Sequence, residues 1–164
     1  MTHPEFEAEL RATTEVSLPV ATGAVAAIGE LIDIKRYNDW LRLLRVTAYV
    51  QRFVNNLKAK IKKEPLVLTR YVEANEMKKA KLLWILENQR TLDEKRLSEL
   101  QHSLNLKLDG EGVLRSYSRL KHAKIPFNMK APVLLNREHR LAEILAYYFH
   151  LKVLDCAYSY GNAK

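Results

Sequence analysis

The stretch YNDWLRLLRVTAYVQRFVNNLKAK, residues 37–60, decides the fold. Its positions Trp40, Leu43, Thr47, Val50, Val54 and Leu57 recur at alternating steps of three and four, which places them on one face of a helix. Leu44, Ala48 and Phe53 widen that stripe, so the helix is expected to pack against more than one neighbour. Arg36, Arg42, Arg45 and Arg52 fall mostly beside or opposite it. Lys58, Lys60, Lys62 and Lys63 gather at the C-terminal end, where cations suit the helix dipole, and Pro65 stops the helix.

Working outward, Thr69 is expected to cap a second helix that runs to about Gln89 and carries Val72, Met77, Ala80, Leu83 and Trp84. Thr91-Leu92-Asp93-Glu94 then has the pattern of a capping box opening a third helix, with Leu97, Leu100 and Leu104 on one side. From Leu104 the period shortens. Leu104, Leu106 and Leu108 alternate with Asn105 and Lys107, as in a half-buried strand. Asp109-Gly110-Glu111-Gly112 supplies a turn, and residues 113–120 read as the return strand. Residues 123–132 are proline-punctuated and expected to be extended. Asn136 then caps a fourth helix to about Val153, whose buried face is Leu141, Ile144, Leu145, Tyr148 and Phe149.

Upstream, residues 1–34 lack firm periodicity and read as a flexible tail or linker with one short helix around residues 24–31. The expected organisation is therefore mainly α, about four helices, with one small β-hairpin before the C-terminal helix. Residues 1–34 form the tail, 35–103 a helical connector, and 104–164 the hairpin with its following helix. Five glycines and five prolines in 164 residues also favour helices over a turn-rich β fold.

With 48% hydrophobic and 28% charged residues the chain is globular in composition. Its 27 basic against 19 acidic residues give a formal charge of +8, which favours polyanionic partners. A basic but otherwise ordinary surface is the competing reading. One cysteine, Cys156, excludes an intrachain disulfide. Residues 1–15 carry acids and no apolar run, and residues 16–34 are interrupted by Pro19, Gly23, Gly29, Glu30 and Asp33. The pattern fits neither a signal peptide nor a membrane span, so an intracellular, non-secreted protein without a membrane partner is expected.

Catalytic constellations are sparse. His139, His150, Asp155 and Cys156 share a C-terminal window, but a structural zinc site wants four ligands, typically two pairs, and no cysteine pair follows. Cys156 and His150 lack an orienting third group and an oxyanion loop. Asp109-Gly-Glu-Gly has no phosphate-loop lysine. Asp93 with Glu94, and Asp109 with Glu111, read as helix-start and turn acids rather than magnesium ligands. No cofactor and no catalytic residue is assigned. Basic and aromatic residues interleave from Arg115 through Tyr117, Arg119, Lys121 and His122 to Lys124. Arg115, Arg119, Lys121 and Lys124 are the candidate nucleic-acid contacts, sequence-independent and salt-sensitive, with a solvated strand face as the equal alternative.

Several stretches carry a family likeness. Trp40-Leu-Arg-Leu-Leu-Arg-Val-Thr-Ala-Tyr-Val50 with Arg52-Phe53 resembles the block after the ribonuclease H region of BEL/Pao retrotransposon polyproteins. Leu68-Thr69, Glu76, Ala80, Trp84 and Gln89 resemble that block's continuation. Leu108-Asp-Gly-Glu-Gly-Val-Leu-Arg115 with Arg119-Leu120 is similar to the hairpin that precedes the integrase zinc module. Ala131-Pro-Val-Leu-Leu135 and the helix to His150 resemble the lead-in to that module. The likeness covers residues 34–155.

On that resemblance His150 matches the first histidine of the zinc site, Asp155 stands where the second is expected, and Ser118 replaces the usual glycine before the return-strand arginine. The cysteine pair and catalytic core fall beyond Lys164. The resemblance therefore implies a truncated or degenerate copy without zinc binding or strand transfer: a non-enzymatic fragment with weak, non-specific nucleic-acid binding. The alternative is a host-adopted helical module that docks on another protein or on a second copy, motivated by the wide apolar stripe of the first helix.

Overall fold

A computed structural model of the protein describes residues 28–117 and 124–161, with 155–161 described through their backbone alone. The order is α1 (Ile28–Leu31), a 3-10 turn (Ile34–Arg36), α2 (Trp40–Lys62), α3 (Ala74–Arg90), α4 (Glu94–Leu104), β1 (Leu106–Leu108), β2 (Leu114–Ser116), α5 (Phe127–Lys130) and α6 (Arg140–Gly161). Four long helices with a hairpin before the last is the expected class.

Helix α2 starts at Trp40 because the Asp39 carboxylate accepts the Arg42 amide at 2.8 Å, an N-cap. It ends at Lys63, whose left-handed φ of 56° lets the Glu64 amide reach the Ala59 carbonyl at 2.8 Å. Helix α3 begins at Ala74, five residues after the expected cap at Thr69. Glu73 and Glu76 cap it instead, with the Glu73 amide donating to the Glu76 carboxylate at 2.8 Å. Thr69 lies in the extended return segment, where its carbonyl accepts from Arg52.

The capping box expected at Thr91–Glu94 is not formed. Thr91 is the C-cap of α3, and its hydroxyl donates to the Asn88 carbonyl at 2.7 Å. Asp93 takes the N-cap position of α4 without a side-chain bond. With so short a link between the helices, Thr91 serves the end of the first rather than the start of the second.

One core unites the chain. Trp40, Leu43, Leu44 and Ala48 of α2 meet Ala80 and Trp84 of α3, Leu141 and Ile144 of α6, and Ile28 and Ile32. Full burial of such side chains is worth about 1.5–3 kcal/mol each. The expected tail therefore gives way to core at Ile28, and the rest of it lies outside the described residues. Leu141 and Ile144 of α6 complete the core built by α2 and α3.

The expected apolar face of α2 holds for half its length. Trp40, Leu43 and Thr47 are buried and Val50 and Val54 half-buried, but Phe53 is 67% and Leu57 50% exposed. At about 1.5 Å per residue the helix outruns the core. Phe149 is likewise exposed on α6, since that helix touches the core only through its first turns.

The hairpin pairs Leu106 with Ser116 and Leu108 with Leu114, antiparallel. Leu104, expected on the third helix and also at the head of the alternating run, ends α4, and Asn105 turns the chain with φ of 46°. The four-residue turn has its expected place: Asp109 Oδ1 accepts the Glu111 and Val113 amides at 2.9 Å, and Gly112 takes φ of 78°. Residues 127–130, expected to be extended, make the single turn α5. Asn136 sits before α6 rather than capping it: its side chain accepts the Glu138 amide, and His139 Nδ1 accepts the Leu141 amide at 3.2 Å.

Two amides of α3 stitch the hairpin to the segment before α6. The Gln89 side chain donates to the Leu114 and Leu134 carbonyls and accepts the Leu114 amide at 2.9 Å. Asn88 Nδ2 donates to the Asn136 carbonyl, and Asn88 Oδ1 accepts the Asn136 amide at 2.7 Å. Both side chains behave as inserted peptide groups, adding to the backbone bonds by which the Leu134 amide reaches the Leu114 carbonyl and the Ser116 amide the Pro132 carbonyl, both at 3.0 Å.

Candidate nucleic-acid interface

The sequence WLRLLRVTAYVQRFVNNLKAKIK of α2 contains six cations and no carboxylate. Opposite the buried face, Arg42, Arg45, Tyr49, Phe53, Asn56 and Lys60 follow one another at steps of three and four, so they form a second stripe. Asn56 is half-buried and the other five are exposed. From Arg42 to Lys60 the stripe runs about 27 Å at 1.5 Å per residue. Lys58, Lys62 and Lys63 flank its C-terminal end, all exposed. Among the described residues none of these cations enters an ion pair.

Arg52 is the exception, and it builds the platform. Its Nε donates to Glu76 Oε1 at 2.7 Å and its Nη2 to Glu76 Oε2, a bidentate pair. Nη1 also donates to the Thr69 carbonyl at 2.5 Å and Nη2 to the Tyr71 carbonyl at 2.7 Å. One guanidinium thus ties α2 to the start of α3 and to the segment between them. The hydrogen bond from Arg52 holds the Glu76 carboxyl below its ordinary range, against the opposing effect of burial. The same bond raises Arg52 above its ordinary value. Asn56 continues the seam, exchanging two hydrogen bonds with the Val67 backbone at 2.8 and 3.0 Å. The guanidinium of Arg52 also stands 5.6 Å from the Tyr49 ring centroid, and the Tyr49 hydroxyl reaches the Arg70 carbonyl at 3.4 Å.

The sequence-based candidates are distributed differently. Arg115, expected to meet phosphate, is turned inward. Its Nε donates to Asp109 Oδ2 at 2.6 Å, its Nη1 to the Ala131 carbonyl at 2.9 Å, and its guanidinium lies 5.1 Å from the Phe127 ring centroid. An arginine in the middle of a three-residue strand is drawn to the turn acid of its own hairpin, a pairing that alternation alone does not reveal. Burial opposes ionisation of Asp109, but the bonds from Arg115 and the Val113 and Glu111 amides prevail and hold its pKa below the ordinary value. Arg119 and Lys121 lie outside the described residues, and Lys124 is exposed ahead of α5.

His150 is exposed on α6, while the side chains of Asp155 and Cys156 lie outside the described residues. Among the described residues no three histidine, cysteine or carboxylate groups are placed to share a metal ion. His139 is held below its ordinary pKa by burial, with Glu87 acting weakly the other way. No described helix is long and apolar enough to cross a membrane.

Periodicity alone places Arg42 and Arg45 beside or opposite the apolar stripe of α2 and does not distinguish them from the solvent face of any amphipathic helix. The absence of any acid across 23 residues was the signal that could have found the outward stripe.

No family model, curated protein or solved structure matches the chain.

Proposed function

We propose that this chain is a non-catalytic nucleic-acid-binding scaffold, related to the segment ahead of the integrase zinc module in BEL/Pao-type polyproteins. The observation that carries the binding reading is the acid-free outward face of α2, where Arg42 and Arg45 on one side and Lys60 on the other flank exposed Tyr49 and Phe53. Cations alone give sequence-independent contact with phosphates. Exposed rings among them add stacking on unpaired bases, worth about 1–3 kcal/mol per base. The polyprotein kinship rests on the residues 40–53 and 108–115 and on a hairpin followed by a long helix, the order expected from that likeness.

Fluorescence anisotropy with a labelled oligothymidine and with a duplex of mixed sequence tests the reading at low salt. Binding to both, little affected by base sequence and weakened by Arg42→Glu with Arg45→Glu, is expected. Absence of binding at the lowest salt overturns it. Phe53→Ala is expected to weaken the single strand more than the duplex.

A second reading, a helical protein-docking module, draws on the end of α2. Leu57 and Ile61 are 50% and 78% exposed there, and Leu68 and Tyr71 in the segment that follows are 83% and 78% exposed. Sedimentation decides: a concentration-dependent dimer abolished by Ile61→Lys favours docking, and a monomer across the range counts against self-association.

A further inference from the structure

A cleft of about 630 Å³, lined by none of the stripe residues of α2, opens between α3, the hairpin turn, α5 and α6. Its walls are Ile85 of α3, Val113 behind the turn, Leu145 and Phe149 of α6, and Trp40 at the start of α2. Trp40, Ile85 and Val113 are each less than a tenth exposed, so they form a preset floor rather than a surface depression. The volume lies in the range of small-molecule sites, about 300–1,000 Å³, which are mostly apolar with few polar groups.

Charge accounting around the rim singles out one cation. On the hairpin wall Arg115 and Asp109 neutralise each other at 2.6 Å. At the mouth Lys78 lies 3.6 Å from Glu111. Lys81, one turn along the same face of α3, is exposed and enters no ion pair among the described residues. Among the described residues the site is thus an apolar cavity with a single uncompensated positive charge at its edge.

We infer that this cleft binds a small amphipathic monoanion, its apolar body on Trp40, Ile85, Val113 and Leu145 and its head group on Lys81. A neutral apolar molecule would leave the ammonium without a counter-charge, and a cation would meet Lys81 and Lys78 unfavourably. A polyanion would not use the apolar floor. This site is independent of the nucleic-acid reading, since none of the stripe residues of α2 lines it.

Titration of the whole chain with anilinonaphthalenesulfonate, followed by competition with dodecanoate, tests the site. Saturable binding with one-to-one stoichiometry is expected, displaced by dodecanoate and not by dodecyltrimethylammonium. Lys81→Glu should weaken it roughly five- to tenfold, as an exposed charge reversal does, while Lys81→Arg keeps it. Phe53→Ala, outside the lining of the cleft, should leave it unchanged. Lack of saturation, equal affinity in Lys81→Glu, or loss in Phe53→Ala each overturns the assignment. Lys81 is exposed, so its variants keep the fold and circular dichroism checks that they do.

Discussion

The indole Nε1 of Trp84 donates to the Thr47 hydroxyl at 2.8 Å, and that hydroxyl donates in turn to the Leu43 carbonyl one turn back at 2.8 Å. Neither side chain has solvent exposure. The relay fixes the facing of α2 against α3, because the indole proton has an acceptor in only this register. Thr47→Val keeps the shape and removes the acceptor, leaving a buried donor unpaired at a cost of about 1–3 kcal/mol. Urea unfolding should show the midpoint falling with an unchanged slope. Thr47→Ser, which keeps the hydroxyl, should lose distinctly less. If valine and serine behave alike, the bond contributes nothing beyond packing.

The amides of Asn88 and Gln89 carry the second expectation. Each serves two or more buried backbone groups of the hairpin and the segment before α6. Gln89→Leu strips partners from the Leu114 amide and the Leu134 carbonyl while keeping the volume, and leaves the Leu114 carbonyl with the Leu134 amide alone. Each orphaned buried group costs about 1–3 kcal/mol, so the whole change should exceed that of a single lost bond. Amide exchange at Leu114 should speed up more than exchange in α2. Uniform acceleration across the chain would show that Gln89 supports the fold globally and not the hairpin.

Much of this architecture was legible in the sequence, and the failures share a cause. The α2 stripe, the Asp109–Gly112 turn and the Leu141–Ile144 face depend on neighbours in the chain, and periodicity reports those. Thr91, Asn136 and Arg115 were assigned by local pattern and lost to tertiary partners. Thr91 bonds Asn88 and receives Asn136, Asn136 locks onto Asn88, and Arg115 closes on Asp109. The buried roles of Asn88 and Gln89 left no local trace, since an amide at a helix end reads as solvated. Arg115 drops out of the candidate contacts for the same reason, because it has an acid in its own hairpin, whereas no acid of α2 neutralises Arg42 or Arg45.

Acid should weaken the fold in two stages. The His139 imidazole is held neutral in the folded chain, by burial first, and its Nδ1 accepts the Leu141 amide. Its folded pKa lies below the unfolded value of about 6.5, so the unfolded chain binds more protons between the two. Stability therefore declines as pH falls below about 6.5. Glu76 and Asp109, both depressed, contribute stability above their unfolded values near 4, and this is lost as pH falls further. His139→Asn keeps a capping acceptor without a titrating group. Urea midpoints between neutral and mildly acid pH should be flatter for this variant than for the parent. Parallel profiles would remove His139 from the first stage.

The salt dependence of nucleic-acid binding should count the cations of the α2 face. Arg42, Arg45 and Lys60 are exposed and enter no ion pair among the described residues. Each phosphate contact adds about −0.9 to the slope of log affinity against log salt on duplex, and about −0.7 on single strands. Full use of all three gives a duplex slope of about −2.7, which sets the ceiling for this face. Arg42→Ala with Arg45→Ala should reduce the slope by nearly two and weaken binding alike on every sequence. Arg115→Ala should instead leave the slope intact and lower stability, because its charge is already matched by Asp109. A slope that falls with Arg115→Ala and not with the α2 pair would return the interface to the hairpin.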